Sequence, residues 1–182
     1  MSTITELSEL SGEYVLDTGR TRLGFIGKHS VGPQVRGEFE EFEGSAHLDG
    51  DDPAKSGIRL TIRSRSLQTG NKMRDDPLRK KFLDAAGHPD ITFTSTEVEQ
   101  VDGVRFRVTG DLTLRGTTRP LTLDVESTGG ERDAQGGLRV GFRGSATLDR
   151  KDWGVSANAV DTLVVSSKVT VEFDVAAVRT SS

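Results

Sequence analysis

The stretch VRFRVTGDLTLRG, residues 104–116, decides the fold. Val104, Phe106, Val108, Leu112 and Leu114 occupy every second position, with Arg, Thr and Asp between them. Successive side chains of a strand point to opposite faces, so these five share one face of a β-strand. The sixth member of the series is Gly110, which puts no side chain in the middle of an otherwise apolar face.

The same period of two recurs on both sides of this strand. Upstream, Leu23, Phe25, Gly27 and His29 share a face, as do Val35, Gly37 and Phe39. Phe42, Gly44, Ala46 and Leu48 continue that series after a skipped beat. Glu40–Glu41 are therefore expected to hold a β-bulge that restores the inward direction. Ile58, Leu60 and Ile62 come next, then Ile91 and Phe93. Downstream lie Leu121, Leu123 and Val125, the series Leu138 to Leu148, and Val165, Ser167, Val169, Val171, Phe173 and Val175. Eight strands result, with YVLD at 14–17 as a lead-in. The connections GDDPAKSG (50–57), VDG (101–103), RGTTRP (115–120) and GGERDAQGG (129–137) carry turn chemistry, which implies an antiparallel meander.

One segment breaks the rhythm. NKMRDDPLRKKFLDAAGHP (71–89) offers Asp75 and Asp76 as caps, Pro77 at a first helical position, and Leu78 and Phe82 four apart. Gly87 and Pro89 then stop it, so the pattern predicts one short helix near residues 75–86. It should lie across an end of the sheet with Leu78 and Phe82 turned inward.

Composition narrows the function. The chain has 182 residues, about one domain, expected as a flexible segment over 1–11, a single barrel domain over 12–178 and a tail over 179–182. A phosphate backbone calls for a basic stripe, whereas the net charge is −4 and no basic cluster exceeds LRKK at 78–81, which argues against nucleic acid. There is no cysteine, so a disulfide framework and a thiolate metal site are both excluded. MSTITELSELSGEY lacks a basic and an apolar signal region, and no apolar run approaches the ~20 residues of a membrane span. The expectation is a cytoplasmic protein without stable membrane insertion.

Eight antiparallel strands with one apolar and one charged face form a sandwich or a closed barrel. A sandwich wants bulky side chains on both inner faces, whereas a barrel can hold one small ligand. Gly27, Gly37, Gly44, Gly110 and Gly144 fall on inward beats, and the chain has only one Trp, one Tyr and eight Phe. Glycine can mark curvature, but five inward glycines point to a hollow interior. A thirteen-residue strand at ~3.3 Å per residue runs ~40 Å, so the barrel is elongated and suits a long, thin, apolar ligand.

YVLD (14–17), FxxKH (25–29), RGEFEEFEG (36–44), SLQTGNKMRDDPL (66–78), KFLDAAGHPDITFTST (81–96), GDLTLRGTT (110–118) and LDRKDWG (148–154) are together similar to the YceI-like family. The resemblance runs in family order over about residues 12–177. It implies an elongated, lipocalin-like barrel that binds a polyisoprenoid lipid or isoprenoid quinone inside, commonly as a homodimer. Gly27 stands where the family more usually has a bulky aliphatic, which widens the tube locally, and Trp153 where it more often has Phe.

The candidate ligand contacts are the inward Phe25, Gly27, Phe39, Phe93, Phe106, Gly110 and Phe142, with Leu78 and Phe82 of the helix. His29 shares the Phe25 face and is either a hydrogen-bonded core residue or a ligand contact. Arg74 either joins a cap and local ion pair with Asp75 or meets a polar lipid head, since Arg suits phosphate. Trp153 either plugs the barrel end or touches ligand. Asp149 and Arg150 are expected to fix a turn by contacting each other. His47 faces solvent and His88 sits in a loop, so no metal site is expected, and no cofactor beyond a bound lipid. The competing reading is an enzyme acting on a small hydrophobic substrate in the cavity. No G-x-S-x-G, Walker loop or H-E-x-x-H supports it, and GDLTLRG continues a strand instead of opening a helix.

Overall fold

The computed structural model describes residues 2–4, 7–27, 34–155 and 167–181. The quoted stretch becomes β9 (Arg105–Leu114) and the turn that follows it, Arg115–Gly116, with φ of 51° and 77°. Two central residues with positive φ make the hairpin turn whose twist matches the flanking strands. β10 (Thr117–Arg132) returns from it in register, Leu114 opposite Thr117 and Arg105 opposite Glu126. On the other side β9 pairs with β8 (Asp90–Gln100), with a bulge between Ser95 and Glu97.

The ring continues through β6 (Gly57–Arg63), β5 (Phe42–Leu48) and β2 (Gly12–Leu16) to β12 (Lys168–Ser181) and β11 (Leu138–Asp149), which closes on β10. β3 (Arg22–Gly27), β4 (Val35–Phe39) and β7 (Leu67–Gln68) extend β2, β5 and β6 as second halves of the same staves. Eight antiparallel staves form the closed barrel, as the periodicity predicts. β1 (Ser2–Ile4) adds an antiparallel segment beside the end of β10.

Three neighbouring staves break at one level. The Glu40–Glu41 β-bulge expected from the skipped beat is instead a break between β4 and β5, because the extra residues lie on the neighbouring stave in a tight turn at Ser64–Ser66: Glu40 N–H donates to the Ser66 carbonyl, and the Glu41 carbonyl accepts from Arg63 N–H. The first stave breaks over 17–21, where Thr21 Oγ1 accepts the Ala176 N–H at 3.1 Å and donates to the Asp17 carbonyl at 2.9 Å. A buried hydroxyl thus replaces the missing ladder bond of β12.

The helix begins earlier than the sequence suggests. Asn71, not Asp75 or Asp76, caps α1 (Lys72–Pro77), its side chain accepting from Met73 N–H. Pro77 is the last residue of α1 and not its first. Proline brings no N–H and crowds the preceding turn, and the chain widens after it into a π-turn over Leu78–Phe82, closed by Leu83 N–H on the Leu78 carbonyl. That wider turn puts Leu78 and Leu83 in the core, with Phe82 packed beside them. The LDRKDWG segment is also rearranged. Asp149 caps the turn Arg150–Trp153 and pairs with Lys168 at 3.4 Å, while Arg150, 1% exposed, donates to the Val155 carbonyl. Opposite charge for Asp149 comes across the strand and not from the adjacent residue.

The folded body reaches beyond the expected 12–178. β12 runs to Ser181, and the turn Leu7–Leu10 lies over the barrel end opposite α1, burying Leu10 with Tyr14, Leu138, Val140 and Ala177. Leu7 and Leu10, three apart, give an otherwise polar segment an apolar edge, and that edge packs on the barrel end. Tyr14 is 1% exposed and its hydroxyl donates to the Leu10 carbonyl at 2.7 Å. Burial raises the Tyr14 pKa above the ordinary phenol value, against the opposing charges of Arg179 and Arg132. Tyr14→Phe is expected to cost about 1 kcal/mol near neutral pH, because the Leu10 carbonyl loses its donor. A raised folded pKa means the unfolded chain ionises first, so wild-type stability falls as pH rises through the unfolded phenol value. Chemical denaturation of both proteins should show the gap narrowing above pH ~10.

Candidate functional site

The inward faces enclose one long cavity of about 320 Å³ whose wall is almost wholly apolar. At one end its wall is Leu7, Leu10 and Tyr14, beside Gly50 and Pro53. At the other it is Gly27, Val35, Leu78, Phe82 and Leu83, with Arg74. Between them Phe25, Phe39, Phe93, Phe106 and Phe142 line the bore. Two of these rings, Phe25 and Phe39, sit 5.9 Å apart at a 50° tilt, an edge-to-face type of contact.

Of the twelve sequence candidates, nine line this cavity: Phe25, Gly27, Phe39, Arg74, Leu78, Phe82, Phe93, Phe106 and Phe142. His29 lies outside the described residues. Gly110 and Trp153 are elsewhere. Trp153, 3% exposed, is packed in the main core and donates its indole N–H to the Leu112 carbonyl at 2.9 Å. The indole is not among the residues lining the bore.

Gly110 answers the question its strand raised, but not as the sequence suggested. A Cβ there would meet the Phe93 ring at 2.5 Å and the Thr94 carbonyl at 2.6 Å. The place is empty of its own side chain because a ring from β8 fills it. Gly37 receives the Phe25 ring in the same way, while at Gly144 an added carbon would meet first the Asp124 carbonyl and then the Phe173 ring at 2.7 Å. In both pairs the ring is the glycine's direct cross-strand partner. At Gly44 the neighbours are the Leu16 side chain and the Arg59 carbonyl, each 2.9 Å from the added carbon. The bore is hollow, yet four of the five inward glycines are not the hollow. Gly27 is the exception: an added Cβ meets nothing within 4 Å among the described residues, and the residue borders the cavity.

Four charged residues touch the wall: Asp49, Arg59, Arg74 and Glu172. Arg59 and Glu172 are exposed on outward beats, the latter 3.7 Å from Arg36, and Asp49 accepts from the backbone of its own turn. Arg74 is half-buried and differs from these. Its Nε donates to Thr69 Oγ1 at 2.8 Å and its Nη2 to the Thr69 carbonyl at 3.3 Å. Thr69 is itself held by Asp75, 5% exposed, whose Oδ1 accepts both its N–H and its hydroxyl. Asp75 has Arg79 at 4.0 Å as its cation, so the expected Arg74–Asp75 ion pair is replaced by a relay through Thr69. The sequence reading missed Thr69 and Arg79, because only the tertiary turn brings them to Arg74 and Asp75. It also missed Ala46, Leu48, Ile58 and Leu60 as wall residues, although their period of two already marked them as inward.

Among the described residues there is no group of His, Asp or Glu that could hold a metal ion, and no helix long and apolar enough to cross a membrane.

Comparison with known proteins agrees with this geometry. The chain matches the YceI-like domain model over residues 14–177. It is 36% identical over 154 residues to a UPF0312 protein of Photorhabdus laumondii, covering 83% of this chain and 80% of that one. A UPF0312 protein of Pseudomonas aeruginosa is 40% identical over 129 residues, 70% of this chain and 67% of its own. Among solved structures, BcnA of Burkholderia cenocepacia superposes with a TM-score of 0.78 at 25% identity, over 88% of this chain and 98% of BcnA. A polyisoprenoid binding domain from Saccharophagus degradans, implicated in plant cell wall breakdown, shares the fold with a TM-score of 0.67 at 18% identity, over 91% and 98% of the two chains.

Proposed function

The chain belongs to the YceI-like family, and from that and the shape of its bore we propose that it binds a long apolar lipid, a polyisoprenoid or isoprenoid quinone, as a carrier, storage or sensing protein. The observation that carries this reading is the long cavity, walled by aliphatic and phenyl side chains from one barrel end to the other. Burying an alkyl chain in such a wall yields roughly 0.8 kcal/mol per CH₂, so affinity accumulates along the length of the ligand. An extended polyisoprenoid suits a bore walled from end to end by apolar side chains, the resembling motifs point to the same class, and the S. degradans domain of this fold is a polyisoprenoid binding domain. The wall offers little for proton chemistry, which favours binding over turnover. The homodimer implied by the resemblance belongs to the same reading, and would form through side chains or barrel ends because a closed ring leaves no free stave edge.

Gly27→Leu tests the reading at the one inward glycine that faces space. A leucine there narrows the bore without displacing a described neighbour, and loss of a strand glycine lowers the entropy cost of folding. Delipidated wild-type protein incubated with a polyprenol is expected to retain it through gel filtration, read by mass spectrometry. The variant should retain less than a tenth as much while melting at the same temperature or higher. Wild-type protein that retains no polyprenol, or that converts it, overturns the proposal.

A further inference from the structure

We infer that the turn Leu7–Leu10 is a fixed end stop of the bore, and that it sets the longest hydrocarbon chain the barrel accepts. This rests on the lipid-binding reading and adds the residues that select ligand length.

The turn has two faces. Leu7 and Leu10 line the cavity, whereas Ser8 and Glu9 between them are exposed. Leu10 is buried and packs with Tyr14, Leu138, Val140 and Ala177. The turn precedes residues 14–177, which match the family model, so the family's motifs do not dictate it.

It is anchored on both sides. Before it, β1 pairs with β10, Ile4 opposite Gly130; after it, β2 pairs with β5, Gly12 opposite Leu48. Ser11 Oγ accepts from the Gly50 N–H at 2.8 Å, and the Ser11 carbonyl accepts from Arg179 Nη1 at 3.3 Å. Gly50 also leaves room for the Leu7 carbonyl, which a Cβ there would overlap. A Cβ at Gly130 would lie 2.7 Å from a Leu10 methyl group. Strand pairing, hydrogen bonds and close packing together hold the turn as a stationary wall.

The surface this wall shows to the bore suits a hydrocarbon end rather than a head group. The Leu10 carbonyl is engaged by the Tyr14 hydroxyl at 2.7 Å. Asp49, next to Gly50, accepts from the N–H groups of Asp51 and Asp52. A head group placed here would lose water without gaining a free partner, whereas a methyl-terminated chain loses nothing by ending against two leucines. Each CH₂ that fits raises affinity about fourfold, and each that has to pass the stop adds nothing.

The test titrates delipidated protein with polyprenols of increasing isoprene number. Wild-type affinity should rise with each unit up to a limiting length and then level off or fall. Leu7→Ala combined with Leu10→Ala should raise that limit by at least one unit. The first polyprenol beyond the wild-type limit should then bind at least about tenfold more tightly than it does to wild type. Leu7→Trp, which removes nothing from the core, should lower the limit by at least one unit. A turn that only packs would change the melting temperature and leave the limit where it is. A limit unmoved or raised in Leu7→Trp, or unmoved in a double variant that still folds, therefore overturns the assignment and leaves lipid binding standing. So does a wild-type affinity that rises without limit along the series. Wild-type protein that binds no polyprenol of any length removes the lipid-binding reading and this assignment together.

Discussion

Gly110→Leu is expected to destabilise the barrel by about 3 kcal/mol, the upper part of the range for overpacked cores. Its Cβ alone would meet the Phe93 ring and the Thr94 carbonyl well inside van der Waals contact. The carbonyl belongs to the β8–β9 wall and cannot move without disturbing the ladder, which places Thr94 opposite Asp111. The ring can move only by leaving its place in the core, where Phe93 is 5% exposed. Chemical denaturation reads the loss as a lower midpoint at unchanged slope. Adding Phe93→Ala to Gly110→Leu should recover part of the loss, because the leucine then occupies the vacated volume. A change below about 1 kcal/mol in the single variant would mean that the ring swings aside freely and that the two positions are not coupled.

Trp153→Ala is expected to cost about 4 kcal/mol, within the range for deleting a buried aromatic side chain. The indole is 3% exposed and supplies a hydrogen bond to the Leu112 carbonyl of β9, so a cavity and an unpaired acceptor arise together. The signature of a plug is the separation of stability from binding. Below its melting transition the variant should retain a polyprenol within about threefold of wild type, since Trp153 does not line the bore. A tenfold loss of lipid with little change in stability would place the indole against the ligand instead.

The parts of the fold carried by period-two alternation were legible in the sequence, because alternation is the direct imprint of one face turned to a core. The eight staves and the inward Phe25, Phe93, Phe106 and Phe142 follow from it, whereas the skipped beat at Glu40–Glu41 is a strand break and not the bulge that alternation suggests. Alternation reports direction and not occupancy. The sequence shows that Gly110, Gly37 and Gly144 face inward, and it does not show that Phe93, Phe25 and Phe173 lie over them, since cross-strand register decides that. The helix start was misplaced for a local reason. Proline is common at a first helical position, but here Asn71 already supplies the cap six residues before Pro77, and a π-turn follows the proline. Arg74 was legible as a basic residue near the barrel end. Its hold on Thr69, and the transfer of Asp75 to Arg79, were not, because three separate side chains meet only after the turn has formed.

The rings seated on glycines have a consequence for how a ligand would sit. A bulky residue opposite each phenyl group would push the rings into the lumen as ribs, and a branched chain would then settle into fixed notches. With glycine beneath them the Phe25, Phe93 and Phe173 rings lie back against the wall. Such a wall would hold a chain without fixing its registry, leaving it some freedom to slide along its axis and costing it less entropy on entry. Methyl branches would then go unread, and the wall would measure only girth and filled length. Affinity should then climb with each added isoprene unit until the bore is full, and stop there, leaving the polar end to decide where along the tube the lipid comes to rest.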